Sequence, residues 1–133
     1  MAGKIVHFEI VAGDAERAKK FYGGLFGWKF KNANVEGMDY FLTEGSDPGG
    51  AVYADQGATK GAPIVYFDSE DIDKSVKKIR DLGGKADDKQ PIPGQGWFSA
   101  CVDTEGNKFS LFQNDPSVTM EKLPEHEHQE ARA

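Results

Sequence analysis

A single cysteine, Cys101, stands in a chain of 133 residues, so no disulfide framework can form within it. Long hydrophobic runs are missing too: no stretch approaches the roughly 18 apolar residues that a membrane-spanning helix needs. Basic residues are in deficit, with 16 Lys and Arg against 22 Asp and Glu and a formal net charge of −6. That balance lacks the broad positive field that gathers nucleic-acid phosphate or anionic lipid. Residues 1–4 show no basic segment leading into an apolar core and a small-residue cleavage site, so no secretory leader is expected and a cytoplasmic location is. Neither nucleic acid nor a membrane is expected as a partner.

What is present describes a soluble globular chain. Apolar residues make up 38% and aromatic residues 11%. The length suits one domain, which at this size buries roughly 68% of its unfolded surface. Sixteen glycines, several in pairs (Gly23-Gly24, Gly49-Gly50, Gly83-Gly84), predict many turns between short elements.

Residues 4–11 are β-branched and aromatic and read as a strand, with Ile5, His7, Glu9 and Val11 on one face and Val6, Phe8 and Ile10 on the other. One face is wholly apolar; the other carries chemistry. Asp14 stands as a helix N-cap before Ala15, Ala18, Phe21, Tyr22 and Leu25 at helical spacing, and Gly23-Gly24 is expected to end that helix. Residues 25–28 then form a hydrophobic turn, and Phe21, Tyr22, Phe26 and Trp28 are assigned to the core. Short extended pieces follow at 29–31, 38–44 and 50–53.

The pattern then restarts. Ile64-Val-Tyr-Phe-Asp-Ser69 repeats the character of Ile5-Val-His-Phe-Glu-Ile10, and Asp71 caps a second helix bearing Ile72, Val76, Ile79 and Gly83, which suggests an internal repeat of about 55 residues. After a turn-rich stretch at 87–96, residues 97–103 and 108–113 read as two strands of a hairpin joined by Thr104-Glu-Gly-Asn107. Each half is strand, helix, then about three strands. The expected organisation is one domain over 1–114, with modules at 4–54 and 63–113, and a charged tail over 115–133 that is mobile or packs only loosely.

This order of elements, with His7-Phe-Glu-Ile-Val-Ala-Gly-Asp14, Ala18-Lys-Lys-Phe-Tyr-Gly-Gly-Leu-Phe-Gly-Trp28, residues 68–82 and Asp103-Thr-Glu-Gly-Asn-Lys-Phe-Ser-Leu-Phe-Gln113, resembles the vicinal oxygen chelate superfamily. That group includes glyoxalase I, bleomycin resistance proteins, extradiol dioxygenases and fosfomycin resistance enzymes. The resemblance spans residues 4–113. It implies an α+β fold in which two βαβββ modules pair into a cupped, partly open, eight-stranded barrel-like sheet around a cleft for a small molecule.

In metal-dependent members of the family, His and Glu from the first and last strands of the modules hold a divalent ion such as Zn, Fe, Mn or Ni. The first-strand histidine is matched by His7. The equivalent slot of the second module holds Ile64 or, on the Ile-Val-x-Phe alignment, Tyr66; the final-strand glutamate is replaced by Ser110; and residues 50–53 offer neither His nor Glu. One imidazole does not hold a metal, and Glu9 on the same face raises the count only to two.

His7 therefore keeps three readings: metal ligand, acid-base or ligand-binding residue in a metal-free cleft, or structural histidine. Glu9 either orients it or faces solvent. Tyr53, Tyr66, Trp97 and Phe112 are candidates for the cleft wall or for ordinary core, with Ser110 beside them. Cys101 has no activating base in view and is expected to be inert. His126-Glu-His128 has chelating spacing but lies in the charged tail.

The leading expectation is a glyoxalase/bleomycin-resistance-like homodimer that binds a small organic molecule without a tightly held metal, with any catalysis resting on His7 and Glu9. A metal-dependent lyase, isomerase or dioxygenase using His7 with further ligands is the alternative, and an interaction module with a side-chain-filled cleft is the third.

Overall fold

The computed structural model describes residues 3–55 and 63–119. The chain falls into two compact units, one spanning Val6–Val65 and the other formed by residues 3–5 with residues 66–119. Each is built on the same strand-helix-strand plan.

The first module runs β1 (Ile5–Ala12), α1 (Ala15–Phe26), β2 (Lys29–Asn32), β3 (Tyr40–Glu44) and β4 (Gly50–Ala54). Its strands lie in the order β2-β3-β4-β1, with β4 parallel to β1 and the other pairs antiparallel. Asp14 caps α1 as its sequence position predicts: its carboxylate accepts from the Arg17 N–H at 3.1 Å. The helix does not stop at Gly23-Gly24. It continues to Phe26 and closes at Gly27, in left-handed backbone at φ 77°, whose N–H donates to the Gly23 carbonyl at 2.9 Å.

Gly23 is kept for space, since a Cβ there would sit 3.2 Å from the Trp28 carbonyl and 3.7 Å from the Phe30 ring. The apolar face of β1 meets the helix side of the module, where Phe8 packs 5.9 Å from Trp28. Opposite Phe8 the chain needs Gly50, because a Cβ there would lie 2.5 Å from the Phe8 ring. Ala51 and Val52 beside it are wholly buried.

The aromatic residues assigned to the core divide differently. Trp28 and Tyr22 are partly buried and stack at 5.7 Å, whereas Phe21 and Phe26 are 61% and 56% exposed, and Leu25 is exposed with them. Each exposed ring still packs on one side, Phe21 against Tyr22 and Phe26 against Trp28, with centroids 5.1 Å apart in both pairs.

The second module runs β5 (Ile64–Asp68), α2 (Ile72–Asp81), β6 (Lys85–Ala86), β7 (Gln90–Ile92), β8 (Gly96–Val102) and β9 (Lys108–Asn114). Again the last strand lies parallel to the first, β9 on β5, with β8 antiparallel to β9. Here the strand after the helix is split. β6 pairs Ala86 with Cys101 and β7 pairs Gln90 with Phe98, so one extra residue is accommodated between them in a bulge, where the Ser99 hydroxyl donates to the Asp87 carbonyl at 2.7 Å. The stretch expected to be only turn is therefore partly strand.

Asp71 caps α2 through the Lys74 N–H, and Ile72 and Val76 sink into a core with Trp97, Cys101, Leu111 and Val118. Val118 is a correction. The segment from Asp115 is not loosely attached where it begins: Val118 is 1% exposed, its carbonyl accepts from Gly94, and the Asp115 N–H donates to the Gln95 carbonyl. The remainder of the expected tail, with His126 and His128, lies outside the described residues. No described helix is long and apolar enough to cross a membrane.

Candidate functional site

Strand register decides which side chains meet. In the first module α1 covers the face that carries Phe8 and Phe41, the latter beneath the Lys19 ammonium at 3.6 Å. The pairs Glu9–Ala51 and Val11–Tyr53 across β1 and β4, and Tyr40–Tyr53 and Leu42–Ala51 across β3 and β4, put His7, Glu9, Tyr53 and Tyr40 on the opposite, helix-free face. Tyr40 and Glu9 stand two strands apart. The phenol spans that gap across β4, where Ala51 has only a methyl group to offer.

The Tyr40 hydroxyl donates to Glu9 Oε2 at 2.7 Å and lies 3.0 Å from His7 Nε2. Its one proton is committed to the carboxylate, so His7 must donate Nε2–H to the phenol oxygen, which fixes the imidazole tautomer. Burial lowers the His7 pKa below its ordinary value, and the ring is neutral at physiological pH. Tyr53 stacks on Tyr40 with centroids 5.7 Å apart. Burial, and then the negative charges of Glu9 and Asp55, push the Tyr53 phenol up, so it remains protonated. The result is an ordered chain, imidazole N–H to phenol O–H to carboxylate, beside an aromatic pair.

A divalent metal fits this donor set poorly. A catalytic zinc site takes three protein ligands, whereas here a phenol is interposed between the imidazole and the carboxylate and occupies His7 Nε2. Among the described residues no three His, Cys, Asp or Glu side chains form a group that could hold an ion.

In the second module, Tyr66 is in register with Ser110, and Phe98 with Phe112, all on the helix-free face. Trp97 does not join them. It is one residue out of phase and belongs to the α2 core, with the Lys89 ammonium 4.4 Å from its ring; the wall position expected for it is taken by Phe98. Cys101 is on the same core face, where burial pushes its thiol pKa up, in keeping with an unreactive thiol. The structure thus gathers His7, Glu9 and Tyr53 in one module, and Tyr66, Ser110 and Phe112 in the other. Tyr40 and Phe98 are the two residues that sequence reasoning missed. Phe98 was within reach of strand parity, but Tyr40 required the register of two strand pairs.

Comparison with known proteins agrees with this architecture. A family model described as "Glyoxalase/Bleomycin resistance protein/Dioxygenase superfamily" matches residues 4–111. A "Glyoxylase-like domain-containing protein" from Didymella fabae is 30% identical over 123 residues, covering 82% of this chain and 92% of that one. Among solved structures, methylmalonyl-CoA epimerase from Mycobacterium tuberculosis is similar at a TM-score of 0.65 with 16% identity, over 86% of this chain and 89% of its own. A single-residue variant of Streptomyces coelicolor methylmalonyl-CoA epimerase, in complex with 2-nitronate-propionyl-CoA, gives 0.62 with 15% identity, over 86% and 99%. At these identities the two structures speak for the fold: α+β, built from two βαβββ modules.

Proposed function

The chain belongs to the glyoxalase/bleomycin resistance protein/dioxygenase superfamily, and from that membership we propose that it binds a small organic molecule on the helix-free faces of its modules without a catalytic metal. The observation that carries this reading is the His7–Tyr40–Glu9 chain. It is a preorganised polar array with a neutral imidazole, suited to aligning a ligand's hydroxyl or carbonyl group. Each helix-free face offers aromatic contact area of its own, Tyr53 in the first module, and Tyr66, Phe98 and Phe112 with Ser110 in the second. Turnover on such a surface is proton transfer, with the Glu9 carboxylate taking a proton from the ligand and returning it, and the Tyr40 O–H and His7 Nε2–H ordering that carboxylate. A cytoplasmic location is part of the same proposal.

The test is a thermal-shift and titration screen of small carbonyl, hydroxyl and carboxylate compounds. Because structural neighbours are methylmalonyl-CoA epimerases, acyl thioesters belong in the screen. A ligand at a hundredfold its Kd stabilises by about 2.7 kcal/mol. Tyr40→Phe and His7→Ala are each expected to weaken binding at least about tenfold, or roughly 1.4 kcal/mol. Hits that bind both variants as tightly as the parent would remove the site from consideration. Stoichiometric Zn, Fe, Mn or Ni in protein purified without chelator, absent from His7→Ala, would overturn the metal-free reading.

A further inference from the structure

Both protons of the His7–Tyr40–Glu9 chain run along it, from His7 Nε2–H to the phenol oxygen and from the phenol O–H to Glu9 Oε2. What the chain turns outward at Glu9 is acceptor capacity, since a carboxylate takes about four hydrogen bonds and the phenol supplies one. A donor stands close by. Glu9 is in register with Ala51 and Val11 with Tyr53, so Glu9 and Tyr53 are diagonal neighbours across β1 and β4. Backbone positions so placed are about 7–8 Å apart, a gap that long side chains reach across. The Glu9 charge acts on the Tyr53 phenol and helps it keep its proton. A protonated phenol beside an acceptor-rich carboxylate suits one ligand oxygen that carries both a proton and lone pairs.

Charge narrows the choice. Lys19 serves the opposite face, 3.0 Å from Glu16 and 3.6 Å from the Phe41 ring. Lys29 and Lys31 share the helix-free face but lie at its far edge: Lys31 is in register with Leu42, Leu42 with Ala51 and Ala51 with Glu9, three strand spacings or about 14 Å in all. A ligand carboxylate placed at Glu9 meets like charge. A ligand carbonyl satisfies Tyr53 but sets one acceptor against another at Glu9.

We propose that the first-module face is built for a neutral alcohol: a ligand hydroxyl donates to Glu9 and accepts from Tyr53, with its carbon skeleton against the Tyr40–Tyr53 pair. The two rings, with centroids 5.7 Å apart, supply the apolar contact that orients the skeleton. This rests on the proposed binding at the helix-free faces and names the ligand class for one of them.

The test is titration of the nitrogen-15-labelled full chain at pH 7.5 with benzyl alcohol, benzaldehyde, benzoate and benzylamine, which share one ring and differ in the polar group, followed through backbone amide shifts. Benzyl alcohol is expected to move the amides of Glu9, Tyr40 and Tyr53, with benzaldehyde and benzoate each bound at least about tenfold more weakly. Glu9→Gln keeps an acceptor for Tyr40 but removes the charge, and is expected to cut the preference for alcohol over benzoate to below about threefold. Tyr53→Phe keeps the ring and is expected to weaken alcohol binding at least about threefold. Benzaldehyde or benzoate binding as tightly as the alcohol, benzylamine binding more tightly, or a preference that neither variant alters would overturn the alcohol assignment while leaving the face a binding site. Shifts at none of these residues with any probe would overturn both.

Discussion

His7 gives up its charge to its surroundings, and that has a measurable sign. Its folded pKa is held below the unfolded value of 6.5 by burial, so the unfolded chain binds the proton first as pH falls. Its contribution to stability is fully present above pH 6.5 and is lost as pH drops from there towards the folded pKa, at up to about 1.4 kcal/mol per unit of depression. Urea unfolding of the parent and of His7→Gln at pH 7.5 and 5.5 is expected to show a steeper loss for the parent; equal slopes would count against a buried neutral ring. Tyr40→Phe keeps the stack on Tyr53 but removes the hydroxyl that joins His7 to Glu9, and is expected to cost about 1–3 kcal/mol by the same measurement. At Gly50 the argument is steric. Gly50→Ala drives a methyl into the Phe8 ring and is expected to destabilise by about 1–3 kcal/mol, partly relieved by Phe8→Leu in the same chain.

At the scale of elements, local chemistry was legible and coverage was not. Asp14 and Asp71 declare their helices because an N-cap acts within three residues of itself. Gly23-Gly24 misleads because two glycines look like a stop, while the true terminator is the left-handed Gly27. Nor does helical spacing reveal that Phe21 and Phe26 stay more than half exposed while resting on the rings of Tyr22 and Trp28, since exposure depends on tertiary packing. The segment after β9 teaches the same lesson in reverse: a charged, apolar-poor stretch hides one valine that completes the α2 core. Burying that side chain is worth about 1.5–3 kcal/mol. Deleting residues 115–133 is therefore expected to lower stability by about 2 kcal/mol more than deleting 120–133, seen as a gap of several degrees in Tm. Equal melting temperatures for the two truncations would show that Val118 contributes little.

For the whole molecule, the repeat visible in Ile5-Val-His-Phe and Ile64-Val-Tyr-Phe is a repeat of topology, each module ending with a strand parallel to the one it began with. The doubled pattern could be read because each copy carries the same periodicities. The bulge that splits β6 from β7, and the one-residue phase that sends Trp97 inward and Phe98 outward, could not, because they are set by pairing partners distant in the chain. Last-to-first closure also bears on the order in which the chain can fold. Phe8 has no partner on β4 until Gly50 arrives, and Tyr66 waits for Ser110, each about 40 residues later. Helices and hairpins of each module can form in microseconds, but the step that joins its ends must close a long loop and come late. During synthesis, β1 leaves the ribosome well before the strand that will cover its edge exists, and that interval is when this protein is most exposed to mispairing.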